Sequence, residues 1–278
     1  MIKGGFPVRY LGVLLINKRL IVVDCEGLVA KFTSRIDSWC AKHLSFAGRL
    51  QLISLVLFSH QVFWSSIFIL PKAVIRLLEQ KLNRFLWGGS NENAKAKVAW
   101  EKVCVPKKEG GLRFKRLNVW NQAAMLRHIW NLFAQAGSLW VAWVDQNWLK
   151  GRSFWQIPVP QSCSWSWKQI LKLREVAKRF LKFKVGDGNR IFLWLDDWQL
   201  DGCLLDKYGY RVVYDAGSSI DAKLSTIICN GEWYWPYARS DRIDDIQSKL
   251  LEVEIGNSDF PIWRRKKGRY TCAETWDA

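Results

Sequence analysis

Residues Lys72–Trp87 read KAVIRLLEQKLNRFLW, and this stretch decides the fold class. At 100° per residue, Val74, Ile75, Leu78, Leu82, Phe85 and Leu86 gather on one side. Lys72, Arg76, Gln80, Lys81, Asn83 and Arg84 fall on the other. The spacing predicts an amphipathic helix lying on a core, bounded by Pro71 and by Gly88-Gly89. Upstream, Leu28, Phe32, Ile36 and Trp39 recur at the same period and predict a second helix, with Lys31, Arg35 and Asp37 turned elsewhere. Between the two, Leu50–Pro71 holds no formal charge, and Ser45 is placed to cap a long helix that Pro71 breaks. That length would reach across a bilayer. Its Gln51, Ser54, Ser59, His60, Gln61, Ser65 and Ser66 instead suit a buried helix of a globular domain, because hydrocarbon offers such groups no partners. Downstream, Leu117–Val144 carries Arg127 as its only formal charge and predicts one or two buried helices, divided at Gly137-Ser138.

Strand signals are fewer. Pro7–Leu15 and Leu20–Val23 are rich in β-formers, with Asn17-Lys18 as a turn between them. Further on, Leu181, Phe183 and Val185 alternate with Lys182 and Lys184. Gly186-Asp187-Gly188-Asn189 then reads as a turn and Arg190–Trp194 as the returning strand of a hairpin. Gly151–Trp167 holds two prolines and no periodicity, and reads as a linker. The expected fold is mainly α with a small β part (α+β): an N-terminal β-hairpin, a helical bundle, then a Trp-rich loop and hairpin region.

Composition sets the class of partner. The chain has 278 residues, 49% apolar and 24% charged, which is ordinary globular composition and excludes wholesale disorder. Lys and Arg number 42 against 25 Asp and Glu, a net charge of +17. The excess is uneven. Residues 1–136 hold 21 basic and 7 acidic residues, whereas residues 137–278 hold 21 and 18. A basic N-terminal half points to a polyanion, nucleic acid before an anionic membrane. Tryptophan runs the other way: 5 of the 18 lie at or before Trp120 and 13 after it. The seven cysteines are odd in number and scattered, and Lys18 and Arg19 interrupt the apolar run from Tyr10 to Val23, so no secretory signal is read. Free thiols in a reducing, intracellular compartment are expected.

The order of short motifs carries a resemblance. Tyr10-Leu11-Gly12-Val13, Leu44-Ser45-Phe46-Ala47-Gly48-Arg49 with Leu52-Ile53, and Phe85-Leu86-Trp87-Gly88 begin the series. Lys97-Val98-Ala99-Trp100, Glu109-Gly110-Gly111-Leu112 and Val185–Ile191 with Trp194, Asp197 and Trp198 continue it. Ile262-Trp263 and Gly268-Arg269-Tyr270 close it. Together these resemble plant LINE-type non-LTR retrotransposon reverse transcriptases, from the primer grip and thumb to the start of the zinc-binding module. The resemblance implies a grip-like β segment over 1–25, a helical thumb-like domain over 26–150 and a truncated zinc-module start over 261–278; the linker at 151–167 and a Trp-rich region over 168–260 are read between them from the residues themselves. It implies nucleic-acid contacts at Tyr10 and Gly12 of the grip and at Lys42, Arg49, Lys72, Arg76, Lys81, Arg84, Lys107 and Lys108. RNA or an RNA–DNA duplex is the expected partner, with a separate palm-containing polypeptide as a further one and no membrane. Leu14 departs from the pattern, standing where the family usually has proline. The family's polymerase uses Mg2+ at a palm that would precede the grip, so no cofactor and no catalysis are expected of this chain alone. A degenerate retroelement remnant, or a subunit that completes a polymerase, are the other readings.

Three features could carry chemistry. Trp194-Leu195-Asp196-Asp197 imitates a polymerase signature. It stands far after the grip, with lysines on the preceding strand, so the expected reading is a hairpin end with solvated acids and structural tryptophans. Cys40-x-x-His43 is the only pair at metal-ligand spacing, and no second pair follows. The three histidines suggest packing or phosphate-facing roles rather than catalysis. Trp120, Trp130, Trp140 and Trp143 lie in nearly uncharged stretches and are expected in the core. Arg264–Lys267 reads as a solvated basic turn or a nuclear-import signal.

Overall fold

The computed structural model describes residues 8–10, 13–16, 18–40, 44–88, 95–235, 240–264 and 268–276. The fold is mainly helical with a small antiparallel β part, as the sequence predicts. Along the chain come β1 (Val8–Tyr10), β2 (Val13–Leu15), α1 (Glu26–Cys40), α2 (Phe46–Leu52), α3 (Phe58–Ser65), α4 (Lys72–Gly88), α5 (Trp100–Val103) and α6 (Leu117–Phe133). Then follow α7 (Leu139–Val144), α8 (Trp165–Lys172), α9 (Arg174–Lys178), β3 (Leu181–Lys184), α10 (Leu204–Tyr208) and α11 (Arg211–Asp215). The series continues with β4 (Ile228–Cys229), β5 (Glu232–Trp233), α12 (Asp241–Leu250) and β6 (Phe260–Trp263). These group into two compact units: Met1–Leu126 with Pro160–Leu171 and Thr275–Ala278, and Arg127–Val159 with Lys172–Glu274.

In the first unit β1 and β2 form the N-terminal hairpin, with Val8 opposite Leu15 and Tyr10 opposite Val13. The hairpin thus lies inside the first β-rich run. The predicted second strand at Leu20–Val23 is not one. The Asp24 carboxylate accepts the Ile21 N–H at 2.9 Å, a local side-chain bond that starts a 3-10 turn at Val23–Cys25 and leads into α1. Helix α1 then buries Leu28, Phe32 and Ile36 at the expected spacing, and Trp39 packs against Phe85 with ring centroids 6.0 Å apart.

The uncharged stretch is not one helix ending at Pro71. Ser45 caps α2 by accepting the Gly48 N–H at 3.1 Å, a π-helical turn at Ile53–Leu57 follows, and α3 stops at Ser65. The reason is Asn121 of α6, which is 1% exposed. Its amide donates to Ser65 O at 3.0 Å and Phe68 O at 2.7 Å, and its oxygen accepts Leu70 N–H at 2.7 Å. One side chain satisfies the backbone groups that a continuing helix would have paired. Among the described residues no helix is long and apolar enough to cross a membrane.

Helix α4 follows the prediction closely. Val74, Ile75, Leu78, Leu82, Phe85 and Leu86 are all buried, each contributing roughly 1.5–3 kcal/mol by leaving water. Asn83 departs from it. Placed on the polar face, it is buried and donates to Val98 O at 3.0 Å, so the connector crosses this end of the helix. Glu79, at the edge of the apolar face, accepts the Leu117 N–H at 3.2 Å and so satisfies a free donor at the start of α6. Burial raises the pKa of its carboxyl.

In the second unit Ser138 caps α7 by accepting the Val141 N–H at 3.2 Å, so Gly137-Ser138 does divide the apolar stretch. The segment read as a linker has no regular element before α8, yet it buries Ser153, Phe154 and Ile157. Strand β3 forms where alternation predicts it, but Arg190–Trp194 does not return beside it. Its partner is β6, in antiparallel register from Leu181 opposite Trp263 to Lys184 opposite Phe260. The glycine-rich turn instead wraps an acid. Asp259 accepts the N–H of Gly186 at 2.8 Å and of Gly188 at 3.0 Å on one oxygen, and of Arg190 at 2.9 Å on the other. A Cβ on Gly186 would lie 2.0 Å from the Ser258 carbonyl carbon, and Gly188 has φ +73°. The first position has no room for a side chain, and at the second a left-handed backbone that favours glycine is joined by a Cβ position 2.5 Å from Ser225 N.

Candidate nucleic-acid interface

Packing of α4 decides where its cations point. With six apolar residues turned inward, Lys72, Arg76 and Arg84 are exposed and Lys81 is half-buried at the edge. Lys72, Arg76, Gln80 and Arg84 succeed one another at four-residue steps, each about 6 Å further along the axis. Among the described residues none of Lys72, Arg76, Lys81 and Arg84 joins an ion pair. The second unit contrasts with this. There Lys178 meets Asp206 at 2.6 Å, Lys207 meets Asp201 at 2.5 Å, Lys249 lies 2.7 Å from Asp201 and 2.8 Å from Asp245, and Arg264 meets Asp197 at 2.6 Å. Lys178, Lys207, Lys249 and Arg264 are held by carboxylates, whereas among the described residues the cations of α4 are not.

Other predicted contacts divide. Lys107 and Lys108 are exposed on a 3-10 turn that ends at Gly110. Arg49, in the last turn of α2, is half-buried, and its Nε is buried with no hydrogen-bond partner, so it presents less than a free guanidinium. Tyr10 sits in β1 opposite Val13. Gly12 and Lys42 lie outside the described residues. The structure adds Lys31 and Arg35, exposed on α1, and Lys95, Lys97 and Lys102, exposed around α5. The first two had a legible signal: a four-residue step on the side away from Leu28, Phe32 and Ile36.

The two acids after Trp194 are not solvated, contrary to the sequence reading. Asp196 is 1% and Asp197 8% exposed. Asp196 accepts the Phe192 N–H at 2.7 Å on one oxygen and the Trp155 Nε1–H at 2.6 Å on the other. Burial pushes its carboxyl up to about 6, against the opposing pull of those donors. Asp197 is raised by burial as well, with Arg264 acting the other way. The expected structural role of the neighbouring tryptophans holds: Trp198 Nε1 donates to Leu193 O at 2.9 Å and Trp194 Nε1 to Ser218 Oγ at 3.2 Å. Asp196 and Asp197 therefore tie loops together.

His43 and the side chains of Cys40 and His60 lie outside the described residues. Among the described ones no group of three or more His, Cys, Asp and Glu could hold a metal ion. His128 packs edge-on against Trp140 with centroids 5.2 Å apart. Trp120 is buried and Trp130 lies edge-on to Trp263, but Trp143 is 51% exposed and is not a core residue. It stands on α7, a helix of six residues whose first side chain, Leu139, also faces water.

No family model matches the chain. Two proteins of Arabidopsis thaliana are similar to it. One, whose name classes it with the ribonuclease H proteins, is 31% identical over 281 residues, covering 95% of this chain and 44% of that protein. The chain thus spans less than half the length of that relative. The other, an uncharacterized mitochondrial protein, is 30% identical over 142 residues, covering 50% of this chain and 92% of that protein. Such relatives are typical of retrotransposon-derived plant proteins, and the chain belongs to the family of that mitochondrial protein.

Proposed function

We propose that the chain is the grip-and-thumb segment of a plant LINE-type reverse transcriptase, and that its first unit holds RNA or an RNA–DNA duplex by the phosphates. The observation that carries this is the set Lys72, Arg76 and Arg84, exposed and without ion-pair partners among the described residues, on a helix whose opposite face is the core. Such a face suits a polyanion of any sequence, since phosphate contacts position a duplex without reading bases. The retroelement-related relatives support the origin. Polymerase chemistry lies outside this proposal. Phosphoryl transfer by two metals needs clustered carboxylates, and Asp196 and Asp197 do not fit, being engaged with Phe192, Trp155 and Arg264. Fluorescence anisotropy with labelled RNA–DNA hybrids of two unrelated sequences, over a range of salt, tests the proposal. Equal affinities are expected, with log affinity falling by about 2.7 per log salt for three phosphate contacts. A salt-independent affinity, or strong preference for one sequence, contradicts it.

A further inference from the structure

A cavity of about 210 Å³ in the second unit is lined by both aromatic and basic side chains. Phe133, Phe154, Phe183 and Phe192 wall it, and Phe133 is fixed by stacking on Trp155 at 5.0 Å. Arg152, Arg190 and Lys223 also line it, against a single acid, Asp145. These cations have bonding capacity to spare. Arg190 gives one guanidinium nitrogen to Phe133 O at 2.6 Å and another to Asp259 O at 3.3 Å, while its Nε is buried without a partner. Lys223 Nζ lies 3.2 Å from the Phe192 ring centroid and 3.4 Å from Arg190 O. Among the described residues it joins no ion pair; Asp196, Asp221, Asp259 and Asp145 act on it only through space, and burial lowers its pKa. Arg152 is exposed and likewise joins none. Half-buried cations such as Arg190 and Lys223, with no carboxylate in direct contact, are costly unless something supplies further negative charge, and aromatic walls select a flat group.

We infer that this cavity binds one unpaired nucleotide of a single-stranded nucleic acid, its base against the phenylalanine walls and its phosphate on Arg152, Arg190 and Lys223. The amides of Asn189 and Gln135, also in the lining, suit the edge of a base. The site belongs to the second unit and does not use the cations of α4.

The test is titration calorimetry of the full chain with AMP, adenosine and inorganic phosphate. AMP should bind saturably, and adenosine and phosphate each about tenfold or more weakly, since adenosine lacks the charge-assisted hydrogen bonds of the phosphate and inorganic phosphate lacks the base that stacks on the aromatic walls. Arg152→Gln, at an exposed position, should weaken AMP about tenfold with unchanged thermal unfolding, and Lys223→Gln should act the same way. Arg76→Gln/Arg84→Gln should leave AMP binding intact, which separates this site from the first-unit interface. No saturable AMP binding, equal affinity for AMP and adenosine, or an unaltered affinity in Arg152→Gln overturns the inference.

Discussion

Asp259 accepts the backbone N–H of Gly186 at 2.8 Å, and the same carboxylate gathers the N–H groups of Gly188 and Arg190. One buried acid thereby shapes the turn that leaves β3, beside the strand that β3 pairs with. Asp259→Asn retains a single carbonyl oxygen for three donors, so we expect a loss of about 2–4 kcal/mol. Gly186→Ala should lose at least as much, because its Cβ would overlap the Ser258 backbone. Urea unfolding followed by tryptophan fluorescence measures both. Stabilities indistinguishable from the parent chain would show that the turn does not depend on this acid.

The same turn shows what could be read beforehand. Alternation along Leu181–Val185 identifies a strand, but it says nothing about which strand pairs with it. Gly186–Asn189 has the chemistry of a hairpin turn, and also of a loop that wraps a carboxylate; adjacent sequence favours the first. The true partner is Phe260–Trp263, a short run containing Pro261, which carries little strand signal. Helix α4 was legible because six apolar side chains repeat at one period against one core. Asn83 and Asn121 were not, since their bonds to Val98 and to Ser65, Phe68 and Leu70 join positions distant in sequence. Of the candidate site, the exposed face of α4 followed from the helical wheel. The partial burial of Arg49 depended on packing around α2 and had no local signal.

Asp196 makes the second unit sensitive to pH in a defined direction. Its carboxyl titrates near 6 when folded and near 3.8 ordinarily, so between those values the folded chain holds a proton that the unfolded chain releases. That contribution to stability is present at low pH and is lost as pH rises through about 4 to 6, by an order of about 3 kcal/mol. Asp196→Asn removes the titration, although its amide must face either Phe192 N–H or Trp155 Nε1–H and lowers stability throughout. Urea midpoints between pH 4.5 and 7 should fall more steeply with pH in the parent chain than in the variant. Parallel curves would contradict the assignment.

Proteolysis should cut late in the stretch between Gly151 and Trp167. Ser153, Phe154 and Ile157 are buried, and Trp155 donates to Asp196, whereas Pro158, Val159, Gln161, Ser162 and Ser164 are exposed. Val159–Pro160 is also where the chain leaves one unit for the other. We expect nicking confined to 158–164 under limited digestion, read by mass spectrometry. Early cleavage between Ser153 and Ile157 would show that this segment is not packed as described.

On the proposed function, the exposed face of α4 meets phosphates. Arg76→Gln/Arg84→Gln removes two of its cations without touching the buried residues of the helix. The decisive measurement is the salt dependence of anisotropy for a labelled RNA–DNA hybrid, with the fold of the variant verified by circular dichroism. Weaker binding is expected, with a slope of log affinity against log salt flatter by about 1.8, at about 0.9 for each phosphate that loses its arginine. An unchanged slope in a folded double variant would contradict it and remove this face from the interface.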